Sequence, residues 1–211
     1  MLISDSHEFI FVLIRKAASS SLLSLLRPYA LNTPGGRWAR LQSRAGLTRD
    51  YRQHAFRTHD PILEARRRMT PERFARYFKF SIVRNPWDRL VSEYEYIRSR
   101  RDHGRHRRVM RLGSFEGFVR MQIPRADAYQ ANMLCDRAGG LLLDFTGRFE
   151  SLDADWQTLC DQLGIPQQPL PRRNVTGHGD YREYYDAALR DLVAQHWRRD
   201  IELFGYRFDN D

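Results

Sequence analysis

Two rhythms of apolar and polar positions alternate along this chain, one of period two and one near 3.6, and they predict strands interleaved with helices. Phe9-Ile-Phe-Val-Leu-Ile14 is an unbroken apolar run of strand length and reads as a buried first strand. Arg15–Ser20 is a small polar loop, and Ser21–Leu26 is a leucine-rich helix stopped by Pro28. Asn32–Asp50 is a polar connection, and His54–His59 predicts a second strand. Thr70-Pro-Glu-Arg is a helix start, with Thr70 as cap and Pro71 in the first position. Phe78–Val83 has the β-rich character of a central strand. The helix after it starts at a good cap, Asn85, with Pro86 at the first position and Asp88 at the capping-box position. Trp87, Leu90, Val91 and Tyr94 line one face of it. Leu141–Phe145 predicts another short strand, and Asp153–Leu163 an amphipathic helix closed by Gly164 and Pro166. A last helix is expected over Tyr185–Phe204, with Leu189, Leu192, Val193, His196, Trp197 and Ile201 on its apolar face and Gly205 at its end. The alternation argues for an α/β fold around a mainly parallel sheet, and 211 residues fit a single domain, 1–211.

Composition narrows the class. The chain is 42% hydrophobic and 12% aromatic, which is globular and not disordered. Its longest early apolar run is too short to span a bilayer, and it follows Asp5 and Glu8 instead of a basic segment, so it is neither a membrane span nor a signal peptide. A cytoplasmic location is the resulting expectation. Cys135 and Cys160 lack metal-ligand spacing and read as core thiols. The net charge of +9 suits polyanions: nucleic acid, anionic membrane, phosphate-bearing cofactors or sulfated glycans. Of 35 basic residues only Lys16 and Lys79 are lysine, which singles out each of them.

Two segments carry candidate anion chemistry. Arg15-Lys-Ala-Ala-Ser-Ser-Ser21 lies between a strand and a helix, where small side chains let backbone N–H groups and a helix N-terminus converge on a phosphate, with Lys16 as a mobile charge. It reads equally as a serine-rich turn with a solvated lysine. It is not a Walker A loop, since Gly-x4-Gly-Lys-Ser/Thr is absent. Arg84 leaves the carboxyl end of a central strand, the usual ligand-binding edge of such sheets, and Ser92 lies about two turns along the next helix. The two either grip one phosphate, or Arg84 pairs with Asp88 while Ser92 faces solvent.

Val83-Arg-Asn-Pro-Trp-Asp-Arg-Leu-Val-Ser92 resembles the 3′-phosphate-binding motif of PAPS-dependent sulfotransferases, in the branch of carbohydrate and heparan sulfate sulfotransferases and their bacterial relatives. Ile14–Ser21 resembles that family's 5′-phosphosulfate loop. Gly147–Glu150, Arg173–Thr176, Tyr181–Tyr185 and Asp200–Tyr206 are similar to its later segments, so the likeness runs from Phe9 to Phe208. Two departures stand out. The proline usual before the loop lysine is Arg15, and a common Gly-Thr pair is Ser19-Ser20, of which Ser19 does not freely adopt positive φ.

The resemblance implies a three-layer, P-loop-NTPase-like sulfotransferase fold. It assigns Arg15, Lys16, Ala17, Ala18, Ser19, Ser20 and Ser21 to the phosphosulfate, and Arg84 and Ser92 to the 3′-phosphate. Arg172, Arg173 and Thr176, in a basic loop over 172–178, are expected on the 3′-phosphate side. The reaction is in-line transfer of a sulfuryl group from PAPS to an acceptor hydroxyl, leaving adenosine 3′,5′-bisphosphate, with Lys16 at the leaving oxygen and no metal required. His59, spaced before Arg84 like the histidine of some carbohydrate sulfotransferases, is the expected base; His54 is the runner-up, and Glu64 and Asp60 are weaker options. The expected acceptor is a small molecule or glycan of carbohydrate or glycolipid type, with anionic groups or peripheral membrane contact both compatible. Arg98–Arg111, with seven arginines and two histidines, either recruits a polyanionic acceptor or forms a solvated, partly disordered insertion. Three other readings compete: a nucleic-acid or polyanion-binding module, which lacks a recognition motif; an ATP-using kinase with an atypical phosphate loop; and a sulfotransferase fold kept only for binding.

Overall fold

Four strands make one mixed sheet, in the order β1 (Leu2–Ser4), β2 (Phe9–Val12), β3 (Phe78–Val83) and β4 (Phe145–Arg148). The computed structural model describes residues 1–31, 38, 41–42, 45, 50–171 and 179–209. β1 runs antiparallel to β2, with Ile3 opposite Ile10; β2, β3 and β4 are parallel, with Phe11 opposite Phe80 and Phe80 opposite Phe145. Phe9–Val12 are all buried, as are Lys79–Val83; β2 reads as an unbroken apolar run, whereas β3 alternates, with Lys79 and Ser81 buried between its apolar residues.

Helices flank this sheet. In chain order they are α1 (Ser19–Leu26), α2 (Ile62–Arg68), α3 (Pro71–Arg76), α4 (Pro86–Ser99), α5 (His106–Leu112), α6 (Phe115–Gln122), α7 (Gln130–Leu134), α8 (Leu152–Leu163), α9 (Ala187–His196) and α10 (Arg198–Phe204). One apolar cluster joins the sheet to Leu22 and Leu26 of α1 and to Trp156, Leu159 and Leu163 of α8. A second gathers Trp87, Leu90, Val91 and Ile97 of α4 with Phe118 of α6, Val193 of α9 and Trp197. Gly147 permits the close layer at β4: a Cβ there would lie 2.5 Å from Ile82 Cδ1 and 3.2 Å from Asp155 Cβ.

Several boundaries differ from the sequence reading. No strand forms over His54–His59. The edge of β2 that it would need is taken by β1, and the segment turns instead, with Asp60 Oδ2 accepting the Arg57 amide at 2.7 Å. The strand expected at Leu141–Phe145 is displaced to Phe145–Arg148, because Asp144 accepts the Lys79 amide and ends the approach, leaving Leu141 only an isolated bridge to Cys135. The last helix breaks at Trp197, whose indole donates to Ala128 O at 3.0 Å and stacks on Tyr129. Beyond the break, buried Asp200 accepts the Gln130 and Ala131 amides at 2.7 and 2.8 Å and so caps α7. His196, expected on the apolar face, is exposed. The capping roles of Thr70 and Asn85 hold: each side chain accepts an amide of its own helix. Asp88 does not close a capping box. The Asn85 amide donates to Glu150 Oε1 at 2.7 Å, which ties the start of α4 to the end of β4.

Candidate active site

Three parallel strands end on one edge of the sheet, and the residues that follow each of them converge there. Leu13–Ala18 follow β2, Arg84 follows β3, and Phe149–Ser151 follow β4. Of these, Arg15, Lys16, Ala18, Arg84 and Phe149–Ser151 line, together with α4, a cleft of about 880 Å³. The linking contact is direct: Arg84 Nη1 donates to the carbonyl of Lys16, 68 residues away, at 3.0 Å.

The Lys16 loop is held in shape by its own groups. Lys16 and Ala18 adopt φ of +65° and +54°, a conformation non-glycine residues rarely take. The strain expected at Ser19 therefore falls at Lys16 and Ala18, and Ser19 instead begins α1, two residues earlier than the sequence suggested. Its hydroxyl donates to Ile14 O, and that of Ser21 to Pro171 O at 2.6 Å, so both close the loop and not an anion contact. Ala17 is packed in the core. Ser20 is exposed and lines the cleft. As at any helix start, the first amides of α1 have no acceptor within the helix, and Ala18 supplies no side-chain cap.

Arg84 is buried and pairs with Asp88, its Nε and Nη2 both 2.7 Å from Oδ2. Its guanidinium lies 3.9 Å from the centroid of the Phe149 ring. A guanidinium carries five N–H groups; three are engaged by Asp88 and Lys16 O, and the other two have no partner among the described residues. The ion pair and the ligand role, set against each other above, are thus compatible. Ser92 is buried on the cleft wall and does not face solvent.

Lys16 Nζ sits over the Tyr96 ring, 4.0 Å from its centroid. Burial, and then the Arg84 charge, lower its pKa to about 8, while Glu93 opposes the fall. Arg15 pairs with Asp127 at 3.2 Å and lines the cleft, with its Nε buried and without a hydrogen-bond partner among the described residues.

Among the base candidates, only His59 lines the cleft. It stands in the turn before α2, not at a strand end. Its Nδ1 lies 2.8 Å from the carbonyl of Leu13; a carbonyl only accepts, so neutral His59 carries its proton on Nδ1 and leaves a lone pair on Nε2. Burial lowers its pKa, the Leu13 bond raises it, and the Arg15 charge lowers it further, with a net fall from the usual value. His54 is buried with Nε2 at 3.4 Å from Glu64; Glu64 is gripped by Arg67 and Arg68, and Asp60 serves the Arg57 turn. Arg172, Arg173 and Thr176 lie outside the described residues; Leu170 and Pro171, just before them, line the cleft.

Several lining residues escaped the sequence reading, Glu93, Tyr96 and Asp153 among them. The segment Arg98–Arg111 was legible as charge and not as structure. It is no disordered insertion: it contains α5, whose Val109 is buried, and it brings His103 and Arg105 into the cleft. The available signal was spacing, because Ser92, Glu93 and Tyr96 fall on one stripe of α4.

Comparison with known proteins gives a consistent picture. The model of the family described as "Sulfotransferase family" matches residues 1–207. An uncharacterized protein of Archaeoglobus fulgidus is 29% identical over 125 residues, which is 58% of this chain and 98% of that protein. The crystal structure of mouse sulfotransferase SULT7A1 complexed with PAP aligns over 95% of this chain and 87% of that one, with a TM-score of 0.46 and 14% identity.

Proposed function

This chain belongs to the sulfotransferase family, and we propose that its cleft binds PAPS and moves the sulfuryl group to an acceptor hydroxyl. The observation that carries the reading is the meeting of the Lys16 loop with Arg84 at 3.0 Å, beside the start of α1 and above buried Ser92. The donor set suits a ligand with two separate phosphate groups. The open amides of α1 and Lys16 serve the phosphosulfate end, while the two remaining N–H groups of Arg84 and the Ser92 hydroxyl serve the 3′-phosphate. Arg172, Arg173 and Thr176 complete the 3′-phosphate side in this reading. Bound PAPS supplies a sulfuryl group on a phosphate leaving group. The protein's part is to hold the two ends, to set a positive charge at the departing oxygen and to take up the acceptor's proton. Lys16 provides the charge. His59 Nε2 takes the proton as the new S–O bond forms and the S–O bond to the phosphate breaks.

The acceptor is a carbohydrate or glycolipid hydroxyl that carries its own anionic group. The charges acting on His59 include Arg15 and Glu93, and those acting on His103 include Arg105, Glu93 and Arg15, so these residues share one end of the cleft. Two buried guanidinium nitrogens there, Arg15 Nε and Arg105 Nη1, lack partners among the described residues, which favours an anion.

His59→Gln tests the base. Turnover is expected to fall by about 10²- to 10³-fold, while the Kd for adenosine 3′,5′-bisphosphate stays within about twofold. Full turnover in that variant, with the donor bound normally, would remove His59 from the mechanism.

A further inference from the structure

The cleft concentrates positive charge. Lys16, Arg15, Arg84 and Arg105 line it, and Arg100 acts on Lys16 from just beyond α4. Arginine keeps its proton in such surroundings and lysine does not. Lys16 is therefore the cation whose charge is least secure, yet a departing phosphate oxygen is stabilised by an ammonium and not by an amine.

Most nearby carboxylates are committed elsewhere. Asp88 holds Arg84, Asp127 holds Arg15 and Arg125, and Glu150 accepts the Asn85 amide and the Tyr206 hydroxyl. Glu93 differs. It is 5% exposed, follows Ser92 on α4 and lines the same cleft as Lys16. Burying a carboxylate is costly unless it is paired. Arg105 offsets that cost, with Nη2 2.5 Å from Glu93 Oε1. Tyr96, nearly one turn further along α4, supplies the ring beneath Lys16 Nζ. Among the described residues no carboxylate forms an ion pair with Lys16; an aromatic face and a nearby negative charge hold its ammonium instead.

We propose that Glu93, fixed by Arg105, is a positioning residue that keeps Lys16 charged over the Tyr96 ring while denying it a direct ion pair, so that the lysine enters the reaction both protonated and mobile. The inference rests on the sulfuryl-transfer role given to Lys16 above. If Glu93 turned to Lys16 directly, the ammonium would be secured but immobile; if it lost its charge, the ammonium would be mobile but easily deprotonated. Among the described residues, the other titratable and charged groups that act on Lys16 or line its cleft are Arg84 at the end of β3, Arg100 and Tyr96 on the α4 side, His59 before α2, His103 and Arg105 between α4 and α5, Glu150 after β4, Asp153 on α8 and Arg15 in its own loop.

The chain's two lysines make a direct test available, because labelling with [13Cε]lysine gives only two NMR signals, with Lys16 assigned by its loss in Lys16→Met. In Glu93→Gln, which keeps an acceptor oxygen for Arg105, the Lys16 titration midpoint is expected to fall by about one pH unit from the wild-type position. In Arg105→Gln, where Glu93 is released toward the lysine, it is expected to rise by a similar amount. The alkaline limb of kcat/KM for PAPS should follow in the same two directions. General loosening of the fold would not give opposite signs. A midpoint unmoved in Glu93→Gln, or shifted the same way in both variants, overturns the inference. If Glu93→Gln does not fold, Arg105→Gln alone decides, and the absence of an upward shift overturns it. Midpoints that move as expected beside a fixed alkaline limb support the charge relation and overturn the catalytic role of Lys16 on which it rests.

Discussion

Lys16→Met is expected to lower kcat by about 10²- to 10³-fold, the usual effect of removing one preorganised donor from a developing negative charge, while adenosine 3′,5′-bisphosphate still binds through Arg84 and Ser92. The same substitution is expected to stabilise the protein. Lys16 has a folded pKa of about 8 against an ordinary 10.5. A cation whose pKa is depressed by folding destabilises the native state wherever it is protonated. The penalty is full below about pH 8, shrinks as pH rises and is gone above 10.5. At about 1.4 kcal/mol per pH unit it amounts to about 3–4 kcal/mol in order of magnitude. Methionine fills similar volume without the charge, so thermal denaturation at pH 7 should give a higher Tm for the variant, and the gap should close toward pH 10.5. Lower kcat with higher stability would mark Lys16 as a residue kept for chemistry; an unchanged kcat would remove it from the reaction.

Arg84→Lys is expected to weaken adenosine 3′,5′-bisphosphate binding by about 100-fold and to lower stability by about 1–3 kcal/mol. The charge is kept; the planar fork is not. Arg84 satisfies Asp88 with two N–H groups and Lys16 O with a third, and sits over the Phe149 ring. A lysine ammonium offers three donors on a flexible stem and cannot serve Asp88, the Lys16 carbonyl and a phosphate from one position. Isothermal titration with the bisphosphate and with AMP separates the effects. The variant should lose the advantage of the bisphosphate over AMP, whereas an unaltered ratio would show that Arg84 does not meet the 3′-phosphate.

The parts of the molecule that were readable in the sequence are those in which local and tertiary preferences agree. β3 and the start of α4 are an example: Phe78–Val83 is buried along its length, and Asn85-Pro86 begins a helix on local grounds alone. Their junction delivers Arg84 to the sheet edge, so half of the site was legible with them. What was not legible depends on partners distant in sequence. β1 is three residues long and is a strand only because β2 lies beside it. His54–His59 has strand-like residues, but the edge it would occupy is filled by β1. The last helix breaks because Trp197 and Asp200 are drawn to Ala128 and to the amides of Gln130 and Ala131. Helical spacing puts Glu93 on the stripe of Ser92, but its partner is hidden for the same reason: only the fold shows that Arg105, twelve residues on, comes back to meet it. His59 reaches the cleft even though its strand does not form, because the turn lets its Nδ1 meet the carbonyl of Leu13.

A cleft built for a nucleotide with a 3′-phosphate must separate adenosine 3′,5′-bisphosphate from AMP and ATP, and a thermal-shift titration of the wild-type chain with the three ligands measures that separation. A ligand at a hundred times its Kd stabilises by about 2.7 kcal/mol, which for a chain of this size is a Tm rise of about 5–10 °C. The bisphosphate is expected to give that rise, with AMP and ATP giving little at the same concentration. An equal response to AMP, or a larger one to ATP, would contradict the account.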